Sequence, residues 1–209
     1  MVLELYLFIN PIGSSCFNSE LNILKLAEKL KGRLKFRFIP FLNLEMVSSM
    51  MAEHSLPLND LNLRNQLFKK AYQASLDYKA ALFQGKKRGR RFLLNLQQQI
   101  LENDNLYCDH LVHQIALNSQ LDWEMFADDR HSQFTANSFQ QDLKMAAEMN
   151  VQAYPTVVIY NLKGLDCGVS LARCDSYKLL EDLCQGKLND FLAKQHLSNH
   201  HPLPHLHTL

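Results

Sequence analysis

The sequence lacks a long hydrophobic run, a basic amino-terminal stretch and any appreciable net charge. Its first apolar run, residues 2–9, is interrupted by Glu4 and ends at Asn10–Pro11, so it is too short to span a bilayer. The formal net charge is only +1, with 21% charged residues, and this balance favours neither nucleic acid nor a membrane surface as a partner. We therefore expect no signal peptide and no membrane anchor, and we expect any electrostatic recognition to be local.

The cysteines also lack the paired spacing of metal ligands, and their number is odd. This pattern fits free thiols in a reducing compartment better than a disulfide framework, so we expect a cytoplasmic protein without structural zinc. The cysteines are Cys16, Cys108, Cys167, Cys174 and Cys184.

The carboxy-terminal segment 194–209 is rich in histidine. Its five histidines could bind a transition metal weakly, but no cysteine or acidic partner completes a defined site. We predict a flexible tail and no bound metal. The histidines are His196, His200, His201, His205 and His207.

The amino-terminal third has the pattern of a β-α-β unit. Residues 2–9 are almost continuously apolar, as in a central strand covered on both faces. Residues 34–38 alternate between apolar and basic side chains, which is typical of a strand with one buried face. A helix between them, stopped by Gly32, is predicted to bury one face. That face consists of Phe17, Leu21, Leu24 and Ala27.

From about residue 44 to Asn150 the hydrophobic period becomes helical, and no strand is convincing. Residues 156–160 and 167–171 then predict a hairpin, and Asp175–Ser176 opens a final helix. The order predicts one four-stranded mixed sheet with helices on both faces. The helices expected in the block cover roughly 58–84, 86–102, 106–118, 122–130 and 134–149.

Two segments on either side of this helical block resemble the DsbA-like proteins. The stretch Leu5–Glu20 resembles their strand, C-x-x-C motif and helix start, in which an aromatic residue commonly follows the second cysteine. The stretch Ala146–Thr156 is similar to the helix end and loop that lead to their cis proline. The resemblance implies an α/β thioredoxin-like domain over 1–43 and 151–193, with 44–150 as a helical insertion.

Within this fold family the chain resembles the Firmicute Spx adaptors, also called YjbH or SpxH and often labelled dithiol-disulfide isomerases. The resemblance covers about residues 3–190. It rests on the Asn-Pro-hydrophobic turn before the motif, on Gln84–Lys87 followed by Phe92–Gln97, and on the helix end Lys144–Met149.

The resemblance aligns the redox motif with Gly13, Ser14, Ser15 and Cys16. In a working C-x-x-C motif the helix amino terminus lowers the pKa of the first thiol, and the second thiol resolves the mixed disulfide. Here the attacking position is Gly13, and only Cys16 keeps a sulfur. Dithiol exchange within this motif is therefore chemically excluded.

The motif residues leave several interpretations open. Cys16 is either a residual catalytic thiol, in this register or as the first residue of Cys16–Ser19, or a buried small apolar residue. Ser14 and Ser15 are candidate helix caps. Alternatively, a hydroxyl there polarises a bound thiol such as glutathione, as in the kappa-class glutathione transferases that resemble the DsbA fold.

Two further groups are candidate binding residues. Tyr154, Pro155 and Thr156 would lie opposite the motif and form a ledge for an extended peptide or a thiol ligand, besides being a turn that the fold requires. A basic segment could dock an acidic surface of a partner or be a solvated helix face. It consists of Lys86, Lys87, Arg88, Arg90 and Arg91.

The resemblance implies a non-enzymatic adaptor that binds the regulator Spx and promotes its degradation by the ClpXP protease, with no cofactor. The alternatives are a thiol-disulfide oxidoreductase or isomerase that uses Cys16, and a kappa-class-like glutathione transferase. The missing thiol at Gly13 favours binding over catalysis.

Overall fold

The structure, a computed structural model, describes residues 2–13, 15–103, 107–163 and 165–187, and the backbone of 206–208. The strands are β1 (Leu3–Ile9), β2 (Leu34–Pro40), β3 (Thr156–Tyr160), β4 (Val169–Ala172) and β5 (Leu206–Thr208). The helices are α1 (Cys16–Leu30), α2 (Leu44–Glu53), α3 (Leu61–Phe83), α4 (Lys86–Asn103), α5 (Asp109–Asn118), α6 (Trp123–Asp129), α7 (Gln133–Glu148) and α8 (Tyr177–Cys184).

The strands form one mixed sheet in the order β2-β1-β3-β4-β5. β2 runs parallel to β1, whereas β3 pairs antiparallel with both β1 and β4. The predicted thioredoxin-like fold with a four-stranded mixed sheet is confirmed. The predicted strand at 167–171 is shifted, because β4 begins at Val169.

A fifth strand extends the sheet where the sequence predicted only a flexible tail. Leu206–Thr208 pairs antiparallel with β4. Without it β4 would be an edge strand with unpaired amides and carbonyls, and such an edge accepts an extended segment. The side chains of the tail histidines lie outside the described residues, and the described residues contain no group of three or more metal-ligating side chains placed to hold an ion.

The centre of the core is β1, as its apolar run predicted. Leu5, Leu7, Phe8 and Ile9 are all buried, because β1 is an interior strand and helices cover both faces of the sheet there. In β2 the predicted alternation is also present, since Lys35 and Arg37 are exposed while Leu34 and Phe38 are buried.

The buried face of α1 differs from the prediction. Leu21 is 42% exposed, and Phe17, Leu24 and Ala27 are only half-buried. The helix turns a different face inward because Ser19 donates to the Cys174 carbonyl in the loop before α8, and Glu20 accepts from Gln97 of α4. The residues that it buries are Cys16, Ser19, Glu20, Ile23, Leu26 and Leu30.

The chain between β2 and β3 forms the expected helical block, and each predicted helix has a counterpart in α3 to α7. A further helix, α2, was not predicted. One hydrophobic cluster joins the sheet to α2, α3, α4 and α7, and a second lies within the block around Phe92 and Phe126. In the described part of the chain, no helix is long and apolar enough to cross a membrane.

Candidate functional site

The degenerate motif forms a tight loop between β1 and α1. The Gly13 amide donates to the Asn10 carbonyl at 3.0 Å, and the Cys16 amide donates to the Gly13 carbonyl at 3.3 Å. These two turns carry the chain from the end of β1 directly into α1. The motif therefore lies at the amino terminus of a fifteen-residue helix, where an active C-x-x-C would have its attacking thiol.

The two motif serines contribute little to the described helix start. Ser15 occupies the N-cap position of α1, but its side chain makes no capping hydrogen bond. The predicted Ser15 cap is therefore wrong as a hydrogen-bonded cap. Ser14 lies outside the described residues, so a cap or a thiol-polarising hydroxyl at that position remains a prediction.

Cys16 is fully buried rather than presented to solvent. Its sulfur accepts a hydrogen bond from the Asn10 amide at 3.3 Å. Burial, followed by the nearby Glu20 carboxyl, raises the Cys16 pKa well above its ordinary value. Because the thiolate is the reacting species, a buried thiol with a raised pKa has little nucleophilic character near neutral pH.

Gly13, the position of the missing attacking thiol, is packed against the ring of Tyr154. A Cβ atom built on Gly13 would lie 2.9 Å from Tyr154 Cε2 and 3.0 Å from Asn10 Cβ. Tyr154 is itself only 5% exposed, so its ring has little room to withdraw. The motif loop is therefore packed around a glycine, and a cysteine side chain would fit there only if Tyr154 or Asn10 shifted.

The ledge opposite the motif has the expected backbone form, because the Tyr154–Pro155 peptide bond is cis. Thr156 begins β3 and pairs with Phe8 of β1 in the last register position of that ladder. Tyr154 thus lies beyond the ladder, and its backbone is outside the pairing that holds β3 to β1.

A groove of about 210 Å³ lies between the ledge and the motif. We call it the motif groove. Four elements contribute to it: the start of α1, helix α2, the ledge, and the loop from β4 to α8. Its lining residues are Ser15, Glu45, Met46, Ser49, Glu53, Gln152, Ala153, Tyr154, Pro155, Arg173 and Asp175.

The motif groove is acidic. Glu45, Glu53 and Asp175 supply three carboxylates, and among the described lining residues Arg173 is the one cation. All four side chains are exposed, so they are available to a ligand and not consumed by the core. The groove therefore suits an extended segment that carries positive charge.

Sequence reasoning missed the acidic wall of this groove because it missed α2. A signal was present in Asn43, whose side-chain oxygen accepts from the Met46 amide at 2.6 Å and caps α2. The Asn43 amide group also donates to the Gln152 carbonyl at 3.0 Å. One residue therefore both starts the helix and ties it to the ledge.

A buried polar pair lies beneath the motif and was also missed. Glu20 on α1 and Gln97 on α4 are both buried. Gln97 Nε2 donates to Glu20 Oε1 at 2.8 Å and to the Asn10 carbonyl at 3.4 Å. Burial raises the Glu20 pKa well above its ordinary value. Periodicity could not predict these residues, because it treats Glu and Gln as surface residues.

The structure does not bring the basic segment to the motif, since none of its residues lines the motif groove. Lys86, Lys87 and Arg88 are exposed at the start of α4. Arg90 lies over the Phe36 ring at 5.1 Å, and Arg91 donates to Gln120 Oε1 at 2.8 Å. The segment belongs to a different surface, next to β2.

Comparison with known proteins agrees with this geometry. A family model described as Thioredoxin matches residues 6–182. The chain belongs to the thioredoxin family. Its group within the family is also clear, because it is 30% identical over 204 residues to the ClpXP adapter protein SpxH of Bacillus subtilis, covering 90% of this chain and 68% of that protein. The expected family resemblance is confirmed.

A staphylococcal relative matches a shorter part of this chain. The chain is 28% identical over 159 residues to the ClpXP adapter protein SpxH of Staphylococcus saprophyticus, which covers 76% of this chain and 56% of the relative. The chain thus spans between about half and two thirds of the length of these relatives.

Solved structures support the fold. BdbD from Bacillus subtilis in its oxidised form superposes with a TM-score of 0.63 at 15% identity, covering 90% of this chain and 88% of that one. DsbA from Chlamydia trachomatis superposes with a TM-score of 0.55 at 10% identity, covering 95% and 89%. At such low identity these matches show the DsbA-like fold alone.

Proposed function

We propose that this chain is a thioredoxin-fold adaptor that binds an Spx-like regulator and promotes its degradation by ClpXP. The observation that carries the proposal is that the motif groove is retained while its thiol chemistry is replaced by packing. The Tyr154 ring fills the space beside Gly13, and Cys16 is buried. The names of the SpxH relatives support the same function.

The motif groove is the proposed binding site for an extended segment of the regulator. The Tyr154 backbone lies outside the β1–β3 ladder, so it can pair with a peptide in the manner of strand addition. Glu45 and Glu53 on one wall of the groove would attract a basic residue of that segment. A cytoplasmic location, expected from the odd number of free cysteines, is part of the same proposal.

The geometry opposes the alternative of thiol-disulfide exchange through Cys16. A substrate disulfide would have to reach a sulfur that is fully buried, and the raised pKa of that sulfur disfavours its nucleophilic form. We therefore assign Cys16 a structural role. The hydroxyl invoked for glutathione at Ser14 lies outside the described residues, so the transferase alternative remains a prediction.

A reconstituted degradation assay tests this function. Spx turnover by ClpXP is followed with and without the chain, and we expect the wild-type chain to accelerate it. We expect Cys16→Ala to accelerate it equally, because the thiol plays no part. Glu45→Lys combined with Glu53→Lys should lower the acceleration roughly tenfold through loss of charge complementarity.

The matched control reverses two exposed acids outside the motif groove, Glu28→Lys with Glu124→Lys, and keeps the net charge of the groove variant. Equal loss in both double variants would remove the groove from the proposal. Failure of the wild-type chain to bind Spx or to accelerate its turnover, with insulin reduction that disappears in Cys16→Ser, would replace the adaptor by an oxidoreductase.

A further inference from the structure

One edge of the sheet is formed by β2, and its backbone polarity can be read from two bonds to β1. The Leu3 amide donates to the Arg33 carbonyl, and the Phe41 amide donates to the Ile9 carbonyl, both at 2.8 Å. In a strand the amide and carbonyl of one residue point to the same side, and the side alternates along the chain. The backbone amides and carbonyls of odd-numbered β2 residues therefore point towards β1, and those of even-numbered residues point away from it.

The outer edge is closed at one end of β2 and open at the other. Tyr78 donates its hydroxyl to the Phe38 carbonyl at 3.3 Å, which confirms that even-numbered residues face outward. Pro40 has no amide to offer. Among the described residues, no hydrogen bond reaches the outward backbone groups of Leu34 or Phe36. β2 is the terminal strand on this side of the sheet, so residues 34–36 form its unpaired stretch.

Two adjoining grooves of about 480 and 220 Å³ are lined in part by residues of this stretch. They share Phe36, Arg37 and Lys86 in their lining, and Lys35 and Arg90 lie in one or the other. We call these five residues the β2 rim. It consists of one half-buried aromatic ring, with Arg90 at 5.1 Å from its centroid, and four cations in all.

The charge around the β2 rim is positive after pairing is considered. Lys79 also lines one groove, but it forms a buried ion pair with Asp142. Glu4 is the one carboxylate in the described lining, and it accepts a hydrogen bond from the Tyr6 hydroxyl. Apart from Lys79, the described lining of the two grooves therefore holds four basic side chains and one carboxylate.

The position of the basic segment is unfavourable for helix stability, which points to another role. Lys86, Lys87 and Arg88 occupy the first turn of α4, which contains no acid. A cation near a helix amino terminus opposes the helix dipole at a cost of about 0.3–1 kcal/mol each. The cost is offset if a ligand of opposite charge binds there.

We propose that residues 34–36 and the β2 rim bind an extended acidic segment of a partner protein by strand addition. The open amides and carbonyls of Leu34 and Phe36 pair with its backbone, and the rim cations pair with alternate acidic side chains. A second copy of this chain is a poor occupant, since its own β2 would place Lys35 and Arg37 against the same cations. This site is separate from the motif groove and does not depend on the adaptor assignment.

Fluorescence anisotropy with short labelled peptides tests the proposal on the full chain. The probe alternates glutamate with valine, and the control alternates lysine with valine. We expect the acidic probe to bind at least about tenfold more tightly. N-methylation of alternate backbone amides in one register should abolish its binding, whereas methylation in the other register should leave it unchanged. Equal effects of both registers would rule out strand addition.

Protein variants locate the site. Phe36→Pro removes the outward amide, and proline is tolerated on an edge strand when that amide faces solvent. Phe36→Ala is its control, because it removes the ring but keeps the amide, and we expect the proline variant to bind roughly tenfold more weakly than the alanine variant. Circular dichroism and thermal unfolding establish that both variants fold.

Charge reversal completes the design. Lys35→Glu with Lys86→Glu should abolish binding of the acidic probe, whereas Lys69→Glu with Lys163→Glu, at exposed positions outside both grooves, should retain it. Equal loss in the two double variants, or dimerisation of the wild-type chain through β2 by light scattering, would overturn the proposal. Because no Spx or ClpXP is present, this outcome is independent of the degradation assay.

Discussion

Replacing Gly13 tests how closely the motif loop is packed around its missing thiol. The added Cβ would lie 2.9 Å from Tyr154 Cε2, so we expect Gly13→Ala to lower the free energy of unfolding by about 1–3 kcal/mol through overpacking. Gly13→Cys should cost at least as much and confer no insulin reductase activity, although it restores the C-x-x-C spacing. Urea unfolding and an insulin reduction assay measure the two effects.

The control for this prediction enlarges the space instead of filling it. Tyr154→Ala is itself destabilising because its ring is buried, but Gly13→Cys should cost less stability in that background than in the wild type, because the ring that collides with the new side chain is gone. A Gly13→Ala variant as stable as the wild type would contradict the packing argument.

The buried Glu20 carboxyl predicts a pH dependence of stability. Its pKa is raised well above the ordinary value of 4.5 by burial, so folding favours the protonated form. The stabilisation is complete below pH 4.5 and is lost as pH rises from there towards the pKa of the folded state. Each unit of raised pKa costs about 1.4 kcal/mol at high pH.

Glu20→Gln should remove this dependence while keeping an oxygen to accept from Gln97. Compared with the wild type, we expect the variant to gain stability progressively between pH 4.5 and pH 7.5, as measured by urea unfolding at each pH. Glu28→Gln, at an exposed position of the same helix, is the matched control. A constant difference between Glu20→Gln and the wild type across this range would show that the carboxyl does not titrate as proposed.

At the residue scale the sequence identified the positions but not their surroundings. The alignment placed Gly13 and Cys16 in the motif and Tyr154 on the ledge, since chain order and spacing are visible in a sequence. That the Tyr154 ring packs on Gly13, or that Glu20 is buried beside Gln97, depends on contacts between residues far apart in the chain. No local pattern contains such contacts.

At the element scale, α2 and its cap connect the acidic wall of the motif groove to the ledge. Asn43→Ala removes the cap and should lower the free energy of unfolding by about 1 kcal/mol. Asn43→Asp keeps the accepting oxygen but loses the donor to the Gln152 carbonyl, so we expect it to unfold nearly as the wild type does. Denaturant unfolding of the two variants separates the cap from the tether.

The same two variants test the groove as a binding site. Both lose the tether to the ledge, so we expect both to accelerate Spx turnover less than the wild type. If Asn43→Asp supports full acceleration, the tether is not needed for the proposed function, and α2 contributes only its charges.

Elements were predicted well where the hydrophobic period alone determined the buried face. They were predicted poorly where a polar contact with a distant part of the chain also determined it. The alternation in β2 and the long apolar periods of α3 and α4 were sufficient to predict these elements. In α1 the apolar residues Phe17, Leu21 and Leu24 suggested one face, yet the helix buries Ser19 and Glu20. The reason is tertiary: Ser19 donates to the Cys174 carbonyl at 2.9 Å, which fixes this face towards the loop before α8.

At the scale of the whole molecule, chain order was the most informative signal. A β-α-β unit and a later hairpin can complete one sheet in few ways, so the topology followed from the order of the elements. How the helical block packs on the sheet did not follow, because buried charges fix parts of the packing. Lys79 pairs with Asp142 between α3 and α7, and Arg130 pairs with Asp77 at 2.7 Å.

The division into a thioredoxin-like domain and an insertion over 44–150 remains a prediction. It raises the question of whether the two parts unfold independently. The first hydrophobic cluster argues for one cooperative unit, because Met46, Tyr78 and Phe139 of the block pack with Leu7 and Val157 of the sheet. Small single domains with a shared core unfold in one transition. We therefore expect the two parts to unfold together.

Two probes measure this directly. Trp123, the single tryptophan, lies in α6 beside Phe126 and reports on the block, whereas reactivity of Cys174, retained as the only cysteine, reports on the sheet core. We expect both to change at the same denaturant concentration. Asp77→Ala removes the buried partner of Arg130 and leaves it only the exposed carboxylate of Asp109, so it should cost about 3–5 kcal/mol and shift both transitions equally. If only the Trp123 transition shifts, the insertion is an independent folding unit.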